Sequence, residues 1–433
     1  MFRFMTTGVI VLALLLSGCK ISGNSTTTTQ ANFRVLHVAS GLGPVSLTVD
    51  QASSPNFIGL AFSNASNYLG FNAGVVHDYV LSLTATPSTL LDVKYTLSGD
   101  NRYTLVLYGV SGATAGLLLQ DTAPQSPASG YFQFRPVHTA LQAGSLDFYI
   151  TAVGADINTA SPNFNSLTIG NTPTFAQFLA GDYQLRITPV STKTVVYDSG
   201  KITYAAGGTV TADIYTTGSA NLVNLQMMYQ DSNNTVVSQT NLLSQFKATN
   251  ASPDSGAFNF LVDGTAKLSN VPYKGTSSYL QSAAGTRNLN AQSVLTGVSV
   301  AGAAVNFAGG NDYSVVAVGN AGAVSLLVLQ DSNIAPSLFN SRLRVVNAST
   351  NAAAIDVQVN YITYVSALAK NTASSYLQFA PNTSPGYTVS VSLTGSSAPA
   401  LTIPSVFLNA ARTYTIYVVG NSSALDGVVA LDN

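Results

Sequence analysis

The stretch FKATNAS at residues 246–252 has three near-copies in the chain: FRVLHVAS at 33–40, FRPVHTA at 134–140 and LRVVNAS at 343–349. Each opens on an aromatic residue or leucine, follows it with a basic residue, and sets His or Asn three positions beyond that base. A second short run comes after each: VSLTVD at 45–50, LDFYI at 146–150, FNFLVDG at 258–264 and IDVQVN at 355–360. Midway through the copies stand NYLGFNAG at 67–74, FAQFLAGDY at 175–183, SYLQSAAG at 278–285 and SYLQFAP at 375–381. The next-to-last run reads YTLVLYG at 103–109, YSVVAVG at 313–319 and YTIYVVG at 414–420, with VTADIYTTG at 210–218 as a looser counterpart. The copies close on Asp121, Asp231, Asp331 and Asp432, spaced 110, 100 and 101 residues apart. That period is one small domain, so the chain is read as four copies of one unit.

Within each copy the runs are rich in Val, Leu, Tyr, Phe and Thr and are bounded by Gly, Asn, Asp, Ser and Pro, which is a strand signature. About seven such runs per copy predict an all-β chain of four tandem immunoglobulin-like antiparallel β-sandwich domains, at 33–121, 131–231, 244–331 and 341–433. The segments TAPQSPASG at 122–130, SNNTVVSQT at 232–240 and SNIAPSLFNS at 332–341 read as short linkers. Four beads on a flexible tether is the expected shape. The whole pattern resembles the domain-of-unknown-function family numbered 4397, found in tandem in secreted and lipid-anchored bacterial proteins. The likeness is clearest in the third copy, over NASPDSGAFNFLVDG at 250–264, and in the fourth. The second departs most, with an insertion at 151–174 and a weak penultimate run. The resemblance implies an extracytoplasmic β-sandwich and supplies no catalytic residues.

Composition agrees with strands. Charged residues make up 8% of the 433 residues, about a third of the ~25% usual in soluble proteins. All 18 acidic residues are aspartate, and there are only eight lysines. Lacking Glu and poor in Lys, the chain has few of the residues that cover exposed helix faces. An apolar fraction of 46% excludes disorder of the highly charged kind. A net charge of −1 offers no footprint for nucleic acid.

The N-terminus begins MFRFMTTGVIVLALLLSGC, with Arg3 ahead of an apolar run from Val9 to Leu16, a signal-peptide core too short to span a bilayer. Leu16-Ser17-Gly18-Cys19 resembles the bacterial lipobox read by the lipoprotein signal peptidase. Residues 1–18 are therefore expected to be a cleaved leader, with Leu16, Ser17 and Gly18 as its recognition residues. Cys19, the chain's one cysteine, is expected to carry lipid. Two acyl chains hold a protein at a membrane where one is marginal. Lys20 fits forwarding to an outer membrane. Residues 19–32, rich in Thr and Ser, read as a polar tether.

The search for chemistry is short. His37 and His138 share their repeat position with Asn250 and Asn347, and Asn cannot shuttle protons, so the position calls for a polar side chain that satisfies local backbone. The base three residues earlier falls on the opposite face of an ideal strand. His77, beside Asp78, is expected to face solvent. No G-x-S-x-G occurs, HExxH is impossible without Glu, and no Gly-Lys-Ser/Thr phosphate loop is present. Calcium wants several clustered carboxylates, whereas the closing aspartates stand singly and suit Asx turns. No enzyme, metal or cofactor is expected. Tyr103, Tyr313 and Tyr414 recur in register and read as packing residues. The expected role is structural, adhesive or protein-interacting in a bacterial envelope, held to the membrane by lipid and with no nucleic-acid partner. The alternative is a solute- or glycan-binding lipoprotein using loops at one end of its sandwiches.

Overall fold

The computed structural model describes residues 29–54, 57–123 and 125–433. The expected lipobox at Leu16-Ser17-Gly18-Cys19 and most of the expected tether lie outside the described residues. The remainder forms β-strands joined by turns, with no α-helix among the described residues. Gln30, Ala31 and Asn32, assigned above to the tether, already belong to the first strand, Gln30–His37.

The third copy shows the common plan. One sheet orders its strands Leu280–Ala283, Leu243–Asn250, Asp312–Val318 and Ser325–Asp331. The other orders Thr265–Val271, Phe258–Val262, Gly285–Ser293 and Ser299–Phe307. Each unit is thus a sandwich of eight strands. The two sheets divide the same way in all four copies, with an additional edge piece in the first and second. One pairing departs from the antiparallel expectation: the opening strand runs parallel to the penultimate one, as Gln245–Asn250 does beside Asp312–Ala317. The same parallel pair recurs in the other copies. The two strands enter the sheet from the same end because the whole second sheet is completed between them.

Burial separates the two sheets. The second strand alternates as a half-exposed strand should, with Phe258, Phe260 and Val262 turned inward. The opening and penultimate strands are buried on both faces, at nearly every position of Leu243–Asn250 and Asp312–Val318. In the third copy Phe246, Ala248, Val315 and Ala317 face their own sandwich core, while Ala251, Val316 and Val318 meet Val346, Ala348, Tyr417 and Val419 of the fourth. In the first and second copies Leu36, Val38, Val106 and Leu119 meet Val137, Tyr215 and Met228. The domains therefore pack back to back, first on second and third on fourth. This replaces the string of beads, and its cause is the apolar character of both faces of one sheet, which water would otherwise wet.

Two of the three expected linkers are also structured. Val236–Gln239, inside the segment 232–240, is a fifth strand on the second copy's sheet. In the segment 332–341, Asn333, Ala335 and Ser337 are buried. Ile334 there fills the space over Gly218 of the second copy, where an added Cβ would come within 2.5 Å of its Cγ1. Part of the insertion at 151–174 forms the strand Phe164–Leu167.

Two recurrent sequence signals find their explanation here. The hydroxyls of Tyr103, Tyr313 and Tyr414 each accept the backbone N–H of the residue five positions earlier, at 3.2, 2.8 and 3.0 Å. This is the tyrosine corner of immunoglobulin-like sandwiches, tying the penultimate strand to the loop before it. The glycines that end those strands, Gly109, Gly319 and Gly420, have φ of 104°, 102° and 86° and pass within 2.2–2.4 Å of a turn carbonyl at the point a Cβ would occupy.

Candidate functional site: a charge lattice between domains

The basic residue of each opening strand, Arg34, Arg135, Lys247 or Arg344, points away from its own core and into the contact between copies, where all four are buried. Each lies under an aromatic ring from the middle of its own copy. Arg34 sits 4.5 Å from the centre of Tyr68, Arg135 4.4 Å from Phe175, Lys247 5.2 Å from Tyr279 and Arg344 4.9 Å from Tyr376. A hydroxyl on the penultimate strand stands beside it: Thr104, Thr211, Ser314 or Thr415. Thr104, Ser314 and Thr415 donate to the closing aspartate of the same copy, at 2.6, 2.7 and 2.7 Å. Tyr68 and Tyr279 add a second hydroxyl to Asp121 and Asp331, each at 2.6 Å.

In the third and fourth copies these clusters exchange partners. Lys247 pairs with Asp432 of the fourth copy, and Arg344 reaches back to Asp331 of the third at 2.6 Å. All four side chains are essentially withdrawn from water. Burial pulls the Lys247 ammonium toward neutrality, but Tyr417 and the Asp432 and Asp331 carboxylates outweigh it and hold its pKa above the usual value. Arg344 is held up in the same manner, chiefly by Asp331. In the first and second copies the exchange goes to backbone carbonyls: Arg34 donates to Asn234 O at 3.1 Å and Arg135 to Gln120 O at 2.7 Å. Asp121 there is pushed up by burial against the pull of Arg34. Asp213 lies in the same contact with the Thr139 hydroxyl at 2.9 Å, and burial holds its carboxyl well above the ordinary range.

Asp231 departs from its three counterparts. It is the Asx turn expected of all of them, accepting the N–H groups of Asn233 and Thr235 at 3.1 and 2.9 Å in the turn before the extra strand. Asp121, Asp331 and Asp432 are instead buried, so the Asx explanation is corrected for those three. A third junction centres on Asp312, which accepts the Ser219 hydroxyl and the Ala220 N–H of the second copy and the Asn333 amide, each at 2.6 Å. Burial pushes Asp312 up to about 6.

The His/Asn position makes the same two local contacts in all four copies. His37 and His138 offer Nε2 to the carbonyls of Gly43 and Gly144 at 3.3 and 2.6 Å, while Nδ1 receives the N–H two residues on. Asn250 and Asn347 make the same two contacts, donating from Nδ2 to Gly256 and Ala352 and accepting at Oδ1 from Ser252 and Ser349. The contacts require a neutral ring with its proton on Nε2, and burial lowers the pKa of both histidines accordingly. His77 is not solvent-facing: it is buried, with Nδ1 2.6 Å from Asp50 and Nε2 3.1 Å from the Asn72 carbonyl. Among the described residues no three His, Cys, Asp or Glu side chains converge as a metal site would require. The stacking aromatics and partner hydroxyls escaped the sequence reading, although their register was visible: the aromatic precedes Leu, Ala or Leu in the middle run, and the hydroxyl follows Tyr or Val in the penultimate one.

The domain of unknown function DUF4397 matches residues 31–149, 244–358 and 341–433. The chain belongs to the DUF4397 family. The unmatched stretch covers most of the second copy, where Phe175 replaces the tyrosine, Val210 stands at the corner position and the closing aspartate has moved into a turn. A comparison with curated proteins finds no match. Among solved structures, this DUF4397 chain is similar to the Bacillus anthracis TIE protein, with 9% identity, a TM-score of 0.15, and coverage of 88% of this chain and 68% of that one. It is also similar to the multi-modular glycogen-degrading pneumococcal virulence factor SpuA, at 9% identity and a TM-score of 0.17, covering 86% of this chain and 37% of that one. At such TM-scores neither likeness carries an argument.

Two outcomes follow from this geometry. Lys247→Met strands Asp432 in the contact and should cost about 3–5 kcal/mol in urea unfolding, whereas Lys247→Met with Asp432→Leu should recover most of that loss. For the histidines, a folded pKa below the unfolded value means that stability is complete above pH ~6.5 and falls as pH drops below it. Melting temperatures recorded across that range should fall less steeply toward low pH in a His37→Asn, His138→Asn double variant, which keeps both contacts and has no titrating ring at either position.

Proposed function

We propose that the protein is a non-enzymatic, lipid-anchored component of a bacterial cell envelope, most simply at the outer membrane. Its four domains serve there as one preassembled block making structural, adhesive or protein contacts. The observation that carries this reading is where the recurrent polar residues go. The four cations that mark the repeat are spent on the neighbouring copy, Asp331 and Asp432 on the neighbour's cation, the aromatics and hydroxyls on holding those charges within their own copy, and the His/Asn position on a turn. A polar cleft of about 360 Å³ reaches Lys247, Tyr279 and Asp432, but the two charged ends there are spent on each other across the domain contact. The lipobox ending in Cys19 and the basic Lys20 support anchoring, and a pair of acyl chains is sufficient for it.

Two measurements test the two halves of the proposal. Cys19→Ser should leave unprocessed precursor that no longer takes up radioactive palmitate; normal labelling would end the anchoring claim. Limited proteolysis of the purified chain should cut near the tether and spare the segments 232–240 and 332–341, which are tied into the folded units, so that the second, third and fourth domains stay in one fragment. A ladder of single-domain fragments would end the block.

A further inference from the structure

We propose that the outer sheet of the fourth domain is a binding site for a neutral oligosaccharide, with Tyr361 as its stacking platform. This goes beyond the scaffold role and stands whether or not the chain carries lipid. The sheet face opposite the domain core holds a cleft of about 510 Å³, within the ~300–1,000 Å³ range of small-molecule sites. Its floor is built by register: Asp356 lies opposite Ser392 and Gln358 opposite Ser390 on the neighbouring strand, and Thr363 lies opposite Gln358 on the other side. Hydroxyls, an amide and one carboxylate are the donors and acceptors that pair with sugar hydroxyls. No cation lines the cleft, which argues against a phosphate or carboxylate ligand.

Tyr361 supplies the independent observation. It lines this cleft, is 85% exposed, and adopts φ of +67° in the two-residue turn Asn360-Tyr361. A residue with a Cβ is strained there; the corresponding position is Gly264 in the third copy, with φ of +79°, and Gln51 in the first, with φ of +64°, so the fourth copy alone of these three sets an aromatic ring at it. The fourth copy therefore keeps a large aromatic ring, in solvent, at a site that favours glycine. Strain of this kind persists where the displayed side chain has a use. An aromatic ring beside neutral hydroxyls matches the two sides of a pyranose, whose C–H face is apolar and whose rim is polar.

The test titrates the full chain with cello-, malto-, chito- and mannohexaose by calorimetry, with saturation-transfer NMR reporting which protons touch the protein. Saturable binding of at least one of these is expected. Tyr361→Gly should weaken it about tenfold or more while leaving the melting temperature equal or higher, because glycine relieves the turn; lost binding then cannot be lost folding. Gln358→Ala should weaken the same ligand. Absence of saturable binding to all four sugars, or binding that Tyr361→Gly leaves unweakened, overturns the proposal.

Discussion

A cation placed in the middle of a buried sheet must be neutralised by something, and its own domain does not supply enough. This constraint organises the molecule. Lys247 and Arg344 each stand on an opening strand whose two faces are covered, one by the domain's own second sheet and the other by the neighbouring copy. The carboxylate that neutralises each comes from that neighbour, Asp432 for Lys247 and Asp331 for Arg344. Moving a charge from water into such a place is costly, and only close geometry with further hydrogen bonds offsets the cost. The aromatic lids and the Ser or Thr hydroxyls provide that geometry. Back-to-back pairing is thereby specified in register as well as in face, since sliding one sheet against the other would strand both charges.

The two pairs solve the same problem with different means. Third and fourth copies exchange carboxylates symmetrically. First and second exchange backbone carbonyls, Asn234 and Gln120, and keep an elevated Asp213 within the contact. The difference traces to one local event, the extra strand Val236–Gln239, which draws Asp231 out of the lattice and into a turn while bringing Asn234 within reach of Arg34. The second copy, weakest in family likeness, is also the copy whose closing element has been rebuilt.

Much of this was legible in the chain itself. The repeat, the all-β class and the equivalence of His37, His138, Asn250 and Asn347 follow from residues in register, because turns and core faces demand the same side chains each time. The pairing of domains was not legible for a physical reason: a strand buried on both faces loses the alternation that marks inside from outside, so Arg34 or Lys247 reads as an exposed base. Asp121 and Asp231 likewise look alike in sequence, and only the strand that follows the second tells them apart. His77 failed for want of a counterpart, since no other copy carries a histidine there.

The parallel pairing of opening and penultimate strands has a mechanical side. In the first domain six consecutive pairs, from Asn32 with Arg102 to His37 with Leu107, lie in register on the opening strand. A hairpin pulled at its end opens one bond at a time. A parallel partner pulled along its axis loads all its bonds in shear, so they share the force and yield together. A pull on the N-terminal end of that strand is therefore resisted by all six pairs at once.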